Sequence, residues 1–477
     1  MKKAAIIGGG VIGGGWAARF LLNGWDVAVF DPDPEAERKI GEVLANARRA
    51  LPALYDRAMP AEGTLSFAAT IAEAVAGANW VQESVPERLE MKQKVYAEIQ
   101  ETLDPEAVIG SSTSGFKPSE LQEGAKDPTQ ILVTHPFNPV YLLPLIEVVP
   151  GETFDPRAVD WAKKVLTDVG MYPLHVRKEI DAHIADRFLE AVWREALWLV
   201  KDGIATTEEI DEAIRMGFGL RWAQMGLFET YRVAGGEAGM KHFMAQFGPA
   251  LEWPWTKLMD VPEFTDDLVD LIAEQSDAQS GRMSIRELER LRDDNLVGIL
   301  RALKKNKAAA GGIIATHEER FPLTLEADLP VTVDRAIPQT WTDYNGHMNE
   351  AHYLEAGAQA TDAFMVLIGA DAEYIAGGNS YFTVENHLRY LDEMKAGEQL
   401  RVRTQVMRGE GKKLHLFHFI ENGGGTLCAT METMLLHVSL ETRRSCAPLP
   451  EVEAKLVAYA GAHSTLAKPD GAGRSIG

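Results

Sequence analysis

The stretch Ile6-Ile7-Gly8-Gly9-Gly10-Val11-Ile12-Gly13, which follows a short apolar run near residue 1, decides the fold of the first part of this chain. It is a G-x-G-x-x-G turn between a predicted strand and a predicted helix. Gly8 lets the strand turn tightly, Gly10 lets the backbone approach a pyrophosphate, and Gly13 lets the helix pack closely on the strand. The free N–H groups at the start of such a helix, near Val11 and Ile12, bind phosphate oxygens. The turn therefore predicts a dinucleotide site.

A carboxylate after the next strand narrows the choice of dinucleotide cofactor. Val27 to Phe30 is a second apolar run, and Asp31 follows it, about 20 residues beyond the glycines, where a carboxylate accepts hydrogen bonds from a ribose diol. The next residues are Pro32, Asp33 and Pro34, so a 2′-phosphate would meet like charge there. The expected cofactor is NAD rather than NADP.

Composition excludes several classes of protein. The net charge of -22 over 477 residues argues against a nucleic-acid partner, because phosphate binding needs clustered Lys and Arg. No apolar run approaches the roughly 18 residues of a membrane span, and the basic start at Lys2-Lys3 leads into the glycine turn rather than a secretory cleavage site. Two cysteines, Cys428 and Cys446, do not make a disulfide framework. We expect a soluble cytoplasmic enzyme that acts on small molecules.

The pattern of apolar residues changes along the chain and predicts several regions. Residues 1–181 alternate short apolar runs with amphipathic segments, which predicts an α/β Rossmann domain. Helical spacing dominates residues 182–305, which predicts an all-α second domain, and a linker is expected over 306–325. Residues 326–445 contain one helical segment and several β-rich runs, which predicts an α+β domain. A C-terminal tail is expected over 446–477.

Polar residues follow two neighbouring predicted strands of the first domain. Ser111 to Ser114 follow one strand, and His135-Pro136-Phe137-Asn138-Pro139 follow the next. Ligands of open α/β sheets bind outside the carboxyl ends of the strands, so both segments should line the cofactor cleft. His135 is suited to accept the proton of a substrate alcohol while hydride leaves for the nicotinamide. Glu147 on the following strand would orient that ring, and Ser114 would bind the same hydroxyl group.

This set of motifs resembles the 3-hydroxyacyl-CoA dehydrogenase family over roughly residues 1 to 305. The resemblance implies that His135 and Glu147 form the catalytic pair, with Ser114 and Asn138 beside the substrate. It places Glu83 and Lys92 near the nicotinamide ribose. It also implies that the helical domain supplies dimer contacts, so we expect a homodimer or a higher homo-oligomer.

Two departures from the family pattern concern the substrate. An acid, Asp186, replaces the asparagine that the family usually has early in the second domain. The segment after Asp31, which is rich in lysine in enzymes that bind acyl-CoA, is short and acidic here, with Asp33, Glu35, Glu37 and Glu42. Such an acidic surface would repel an anionic CoA. Asp186, an acid in place of an amide, suits a cationic substrate.

Aromatic and basic residues of the second domain fit a small zwitterionic substrate. Quaternary ammonium groups favour aromatic faces, and this domain contains Trp193, Trp198, Trp222, Tyr231, Trp253 and Trp255. Arg221, beside Trp222, is a candidate partner for a substrate carboxylate. A 3-hydroxy acid with a quaternary ammonium group is carnitine, and the chain resembles the bacterial L-carnitine 3-dehydrogenases that carry a C-terminal thioesterase domain. The alternative is a 3-hydroxyacyl-CoA or L-gulonate-type 3-dehydrogenase whose last domain is a non-catalytic oligomerisation or acyl-binding module.

The third domain has a motif of its own, Trp341-Thr342-Asp343-Tyr344-Asn345-Gly346-His347-Met348-Asn349, before a predicted helix. It resembles the hotdog acyl-CoA thioesterases of the 4-hydroxybenzoyl-CoA type. The resemblance implies that Asp343 serves as base or nucleophile on a betaine-type acyl-CoA, with the helix N-terminus polarising the thioester carbonyl. Glu385 is either a second acid or a solvated strand residue. No metal site is predicted, because His347 and His352 lack the spacing of a helical ligand pair.

Overall fold

The chain folds into two compact units. The computed structural model describes residues 2–234, 239–247, 256, 263, 265–321, 325, 326 and 328–473. The first unit comprises Met1–Arg48 and Ala61–His317, and the second comprises Arg49–Pro60 and Glu318–Gly477. A short segment of the predicted first domain, 49–60, thus belongs to the second unit, which the sequence analysis did not anticipate.

An eight-stranded sheet in the order β3-β2-β1-β4-β5-β6-β7-β8 organises the first unit. Its strands are β1 (Lys3–Ile7), β2 (Asp26–Phe30), β3 (Leu65–Phe67), β4 (Trp80–Glu83), β5 (Val108–Ser111), β6 (Ile131–Pro136), β7 (Leu145–Val149) and β8 (Tyr172–His175). The first six are parallel, whereas β7 runs antiparallel to β6 and parallel to β8. The loops after β1, β2, β4, β5 and β6 therefore meet at one edge of the sheet.

Helices cover this sheet and then form the second domain. The helices between the strands are α1 (Val11–Leu22), α2 (Ala36–Ala50), α3 (Ile71–Val75), α4 (Leu89–Thr102), α5 (Pro118–Leu121) and α6 (Pro156–Asp168). The helices that follow are α7 (Ala185–Lys201), α8 (Thr207–Ala213), α9 (Gly219–Ala234), α10 (Gly239–Phe247), α11 (Asp266–Ser280), α12 (Ile285–Lys305) and α13 (Ala309–Glu318). Helix α13 lies within the predicted linker 306–325, where Ile313 and Ile314 give it apolar side chains to bury. Across the described ranges, no helix is long and apolar enough to cross a bilayer.

The second unit is an antiparallel sheet around one long helix. The strand order is β11-β14-β13-β12-β10-β9. The strands are β9 (Leu325–Glu326), β10 (Leu329–Ala336), β11 (Asn379–Tyr390), β12 (Gln399–Glu410), β13 (Lys413–Asn422) and β14 (Leu427–Ser439). The helices are α14 (Glu350–Ile368), α15 (Ala372–Ala376) and α16 (Pro450–His463). Tyr353, Ala356, Ala360 and Phe364 of α14 are buried in the core. The predicted fold class, an α/β Rossmann domain with an all-α domain and then an α+β hotdog domain, is confirmed.

The end of the chain departs from the prediction of a tail over 446–477. Residues Pro450–His463 form α16, which begins with a proline in its first turn. Val452 and Leu456 of this helix are buried in the same apolar cluster as Leu414 and Leu416 of β13. The packing requires Gly409 on β12, because a Cβ there would lie 2.7 Å from Leu456 Cδ1. Burial of this apolar face, rather than composition, keeps the segment helical.

Candidate active sites

The glycine turn after β1 has the geometry of a phosphate cradle. Gly8 has a φ of +101°, and a Cβ there would lie 2.6 Å from the Ser84 carbonyl oxygen, so only glycine fits. A Cβ on Gly13 would lie 1.8 Å from the Gly8 carbonyl oxygen, which shows how closely α1 approaches the turn. Around Gly10, by contrast, a Cβ would have open space. Val11 is 58% exposed at the start of α1, so the helix N-terminus faces an open cleft.

Asp31 lies beside this turn at the end of β2. Its Oδ2 accepts a hydrogen bond from the Gly9 N–H, and its Oδ1 accepts one from the Asp33 N–H at 2.7 Å. The cations that follow on α2 are already matched by acids. Lys39 pairs with Asp33, and Arg38 pairs with Glu35 and Glu42. This arrangement suits a ribose diol, and it leaves neither Arg38 nor Lys39 unpaired for a 2′-phosphate.

His135 and Glu147 form a buried pair because β6 and β7 are antiparallel with these residues in register. His135 Nδ1 lies 3.0 Å from Glu147 Oε2. Glu147 Oε1 accepts the N–H groups of Ile184 and Ala185, at 2.9 and 3.0 Å, from the start of α7. Burial opposes ionisation of Glu147, but the hydrogen bond from His135 and these two N–H groups hold its pKa below the usual value. An ionised Glu147 favours the tautomer of His135 with its proton on Nδ1, which leaves Nε2 as the nitrogen with a lone pair.

Asp186 stands on the other side of the same ring. Its Oδ2 lies 3.6 Å from His135 Nε2, and its side chain is partly exposed. Burial raises the pKa of Asp186, the neighbouring His135 opposes that shift, and Glu147 adds to it. A carboxylate is therefore positioned near the ring nitrogen of His135 that does not face Glu147.

His183 is a neighbour that the sequence analysis did not single out. It is fully buried, its Nε2 lies 3.3 Å from the Thr113 carbonyl oxygen, and its ring centroid lies 5.6 Å from that of His135. Nδ1 of His183 has no hydrogen-bond partner among the described residues. Burial lowers its pKa, so the ring stays neutral. Ala182 and His183 both have positive φ values, and this turn directs the N–H groups of the next two residues at Glu147.

The structure encloses Glu83 and Lys92 rather than exposing them to the cleft. Lys92 Nζ lies 2.8 Å from Glu83 Oε1, and both side chains are buried. Glu83 Oε2 accepts hydrogen bonds from Tyr96 and Ser111, while Lys92 also pairs with Glu87 at 3.2 Å. The pair thus ties the loop after β4 to β5 and α4. A role of these two residues at the nicotinamide ribose stays a prediction.

Ser114 and Asn138 are exposed in the loops after β5 and β6, and neither side chain hydrogen-bonds to another described residue. A side chain of α1 anchors the loop that contains Asn138. Buried Arg19 donates to the carbonyl oxygens of Val140 and Leu143, at 3.2 and 3.3 Å. Both loops lie at the strand ends where substrate is expected, but the structure does not join either side chain to His135.

The aromatic residues of the helical domain separate into groups. Trp193 is 55% exposed and lies two turns after Asp186 on α7, so it shares the face of that carboxylate. Trp198 carries the Lys201 ammonium 4.6 Å above its ring. Arg221 and Trp222 lie on α9, where Trp222 contacts Phe218, and no described contact joins them to Asp186. Trp253 and Trp255 lie outside the described residues.

In the second unit, Asp343 closes a turn just before α14. Its Oδ1 accepts N–H groups of Asn345 and His347, at 2.8 and 3.3 Å. Asn349 caps α14 by accepting the Ala351 N–H, so the loop that holds Asp343 leads directly into the N-terminus of this helix. Glu385 is exposed at a bulge on β11. Within the described ranges, no cluster of His, Cys, Asp and Glu suits a metal ion.

Comparison with known protein families matches both units. Residues 3–180 match the NAD binding domain of 3-hydroxyacyl-CoA dehydrogenase, and residues 183–264 match its C-terminal domain. Residues 337–456 match the thioesterase-like superfamily. A protein of Ruegeria pomeroyi, an L-carnitine dehydrogenase/betainyl-CoA thioesterase, is 68% identical over 100% of this chain and 99% of its own length. The chain belongs to the 3-hydroxyacyl-CoA dehydrogenase family.

Two further proteins match about two thirds of the chain. An L-carnitine dehydrogenase of Mesorhizobium japonicum is 61% identical over 67% of this chain and 88% of its own length. The crystal structure of 5-formyl-3-hydroxy-2-methylpyridine 4-carboxylic acid 5-dehydrogenase, described as an NAD⁺ dependent dismutase, covers 64% of this chain and 99% of its own, with 28% identity and a TM-score of 0.55. The predicted resemblance to dehydrogenases with an added thioesterase domain is confirmed. The cofactor is NAD, which the cradle at Gly8–Gly13 and the carboxylate of Asp31 fit.

Proposed function

We propose that the first unit oxidises the secondary alcohol of L-carnitine to 3-dehydrocarnitine with NAD, and that the second unit hydrolyses a betaine-type acyl-CoA. The observation that carries the first activity is the carboxylate of Asp186 beside the reactive nitrogen of the His135–Glu147 pair. The names of the relatives that match the whole chain support both activities.

The His135–Glu147 pair acts as the base. Glu147, held by two backbone N–H groups, keeps the proton of the imidazole on Nδ1 and stabilises the imidazolium that forms. Nε2 would then accept the hydroxyl proton, and NAD held by the Gly8–Gly13 turn and Asp31 would supply the acceptor for the hydride of the carbinol carbon. Because His135 is buried, the charge that develops on the ring interacts strongly with Glu147.

Asp186 selects a cation next to the reacting carbon. In carnitine the ammonium nitrogen is bonded to the carbon adjacent to the carbinol carbon. When the hydroxyl group binds His135 Nε2, the methyl groups on nitrogen therefore come close to Asp186, 3.6 Å from the same atom. A CoA thioester would bring anionic phosphates to the first unit, where the acid Glu35 precedes α2 and the acid Glu42 lies on it. The charge distribution favours the small cationic substrate.

The remaining predicted substrate contacts are part of this proposal. Ser114 and Asn138 are exposed at the strand ends and are free to bind the hydroxyl and carboxylate groups. Trp193 offers an aromatic face on the side of Asp186. Arg221 and Trp222 contact substrate only if α9 approaches the cleft, since no described contact brings them there.

In the second unit, Asp343 is the proposed base or nucleophile for thioester hydrolysis. The loop that holds it lies at the N-terminus of α14, whose free N–H groups would stabilise the oxyanion formed from the thioester carbonyl. Asp343 either attacks the carbonyl carbon itself or removes a proton from the attacking water.

We also propose that the chain forms a homodimer or a higher homo-oligomer through its helical domain. Large apolar side chains on α7 and α9 are exposed, namely Phe188, Leu189, Leu220, Met225 and Phe228. A monomer rarely leaves this much apolar surface in water. Sedimentation equilibrium should therefore give at least twice the mass of one chain.

A substrate panel with NAD tests the dehydrogenase proposal. We expect carnitine to be oxidised in preference to 3-hydroxybutyryl-CoA and gulonate, and His135→Ala to abolish turnover while NAD binding is retained. Asp186→Asn should weaken the binding of carnitine more than the binding of 3-hydroxybutyrate, because only carnitine loses a charge partner. Preferred oxidation of 3-hydroxybutyryl-CoA or gulonate would instead support the alternative 3-dehydrogenase.

A further inference from the structure

Two carboxylates flank one imidazole, and this leaves a proton to be accounted for. With its proton on Nδ1, a neutral His135 carries a lone pair on Nε2. That lone pair faces Asp186 Oδ2 at 3.6 Å, and an ionised carboxylate oxygen is also an acceptor. Two acceptors at this distance repel each other unless one of them carries a proton. The same Nε2 must be unprotonated before it accepts the substrate proton.

We propose that His135 and Asp186 hold one proton between them in the substrate-free enzyme, and that the quaternary ammonium group of the substrate displaces it. This inference rests on the proposed oxidation of carnitine and adds that the charge of the substrate activates the base. Asp186 is then a specificity-determining residue that acts on the rate as well as on binding.

The groups around the His135–Asp186 pair do not take up this proton, so the pair itself holds it. Glu147 on β7 accepts from His135 and from two backbone N–H groups, which keep it ionised. His183, in the turn before α7, is buried and stays neutral. Glu190, one turn after Asp186 on α7, lies 3.8 Å from Arg194. Burial also raises the pKa of Asp186, which favours a proton on the pair over two bare acceptors.

The charges and protons balance in two steps. On binding, the ammonium group pairs with Asp186, and the proton of the His135–Asp186 pair leaves for the solvent. In the chemical step, the hydroxyl proton of the substrate moves to Nε2 as hydride leaves the carbinol carbon for NAD. A substrate of the same shape without the charge leaves the first proton in place, so that Nε2 is blocked at neutral pH.

The carbon isostere of carnitine, 3-hydroxy-5,5-dimethylhexanoate, provides the matched ligand. Binding of each ligand to the wild-type enzyme saturated with NADH is measured by calorimetry in buffers of different ionisation enthalpy, between about pH 5.5 and 8. We expect carnitine to release up to about one proton per site at some pH in this range, and the isostere to release none. In turnover with NAD, the acidic limb of kcat, which reports the enzyme–substrate complex, should lie at higher pH for the isostere.

Variants of two carboxylates on α7 test whether Asp186 causes the release of the proton. Asp186→Asn should abolish proton release by carnitine, whereas Glu190→Gln, which removes a carboxylate one turn away, should retain it. Equal proton release by carnitine and the isostere, or none by either, would overturn the inference. The inference also fails if Asp186→Asn still releases the proton. If the wild-type enzyme does not oxidise carnitine, the proposed function itself fails; oxidation without differential proton release refutes the coupling alone.

Discussion

Gly10 and Gly13 respond to the same added methyl group in opposite ways, because their surroundings differ. Gly13→Ala would place a Cβ 1.8 Å from the Gly8 carbonyl oxygen, so α1 must move and the apo-enzyme should unfold at a lower temperature. Gly10 has an ordinary backbone conformation and open space around it, so Gly10→Ala should leave thermal unfolding of the apo-enzyme unchanged. Gly10→Ala should nevertheless weaken the binding of NAD about tenfold or more, because the methyl group would occupy the place of the pyrophosphate. Unchanged NAD affinity in Gly10→Ala would contradict this position of the cofactor.

Glu147→Gln tests the direction of the hydrogen bond within the proposed catalytic pair, His135 and Glu147. The amide oxygen can still accept the N–H groups of Ile184 and Ala185, but the amide NH₂ then donates to His135 Nδ1. The ring must carry its proton on Nε2, the wrong nitrogen for a base. We expect kcat to fall on the order of 10³-fold or more, with little change in NAD affinity. The exposed Glu152→Gln is the control, and steady-state kinetics with NAD titration make the comparison.

These residues also show how much of the site the sequence contains. His135, Asp31 and the glycines lie at or next to strand ends that the apolar pattern marks, so their meeting at one edge was predictable. Glu147 lies within β7 and reaches His135 because β7 runs antiparallel to β6. His183 lacked any such signal, because its importance comes from burial and from a left-handed turn that only the folded chain shows. The enclosure of Glu83 by Lys92 and Tyr96 was hidden for the same reason.

Among the elements of the second unit, a buried histidine joins α14 to the sheet. His418 on β13 contacts Thr404 on β12 at 2.9 Å and Thr361 on α14 at 3.0 Å. Burial lowers its pKa to about 3, whereas an unfolded histidine titrates near 6.5. Between these values the unfolded chain binds one more proton than the native chain. Stability is therefore present above about pH 6.5 and is lost as the pH falls toward 3, by up to about 1.4 kcal/mol per pH unit.

His418→Gln measures this contribution, because glutamine can bond to both threonines but does not titrate. In urea unfolding of the full chain between about pH 4 and 7, the free energy of unfolding of the second unit should fall less steeply with acid in the variant. His387→Gln, at a half-buried position on β11, should keep the wild-type slope. The same slope in His418→Gln and wild type would show that His418 is protonated in the native state.

Elements were predictable where their sequence pattern is strong. Short apolar runs marked β1, β2 and β5 to β7, and helical spacing marked α7 and α14. The three-residue β3 and the proline-containing β8 carry no such run, and they depend on their neighbours in the sheet. Helix α16 lies within the predicted tail 446–477, and it forms because Val452 and Leu456 are buried in the core. Burial against the rest of the fold, rather than the local sequence, determines that these segments form strands and a helix.

For the whole molecule, two units with separate apolar cores predict two activities that can be removed one at a time. Asp343→Asn keeps the turn, since the amide oxygen still accepts the N–H groups of Asn345 and His347, but it removes the charge needed by a base or nucleophile. It should abolish hydrolysis of betainyl-CoA and leave oxidation of carnitine at the wild-type rate, and His135→Ala should do the reverse. Thiol release and NADH absorbance report the two reactions in one sample. Glu385→Gln, in parallel, shows whether a second acid takes part, and hydrolysis that survives Asp343→Asn would refute the role of Asp343.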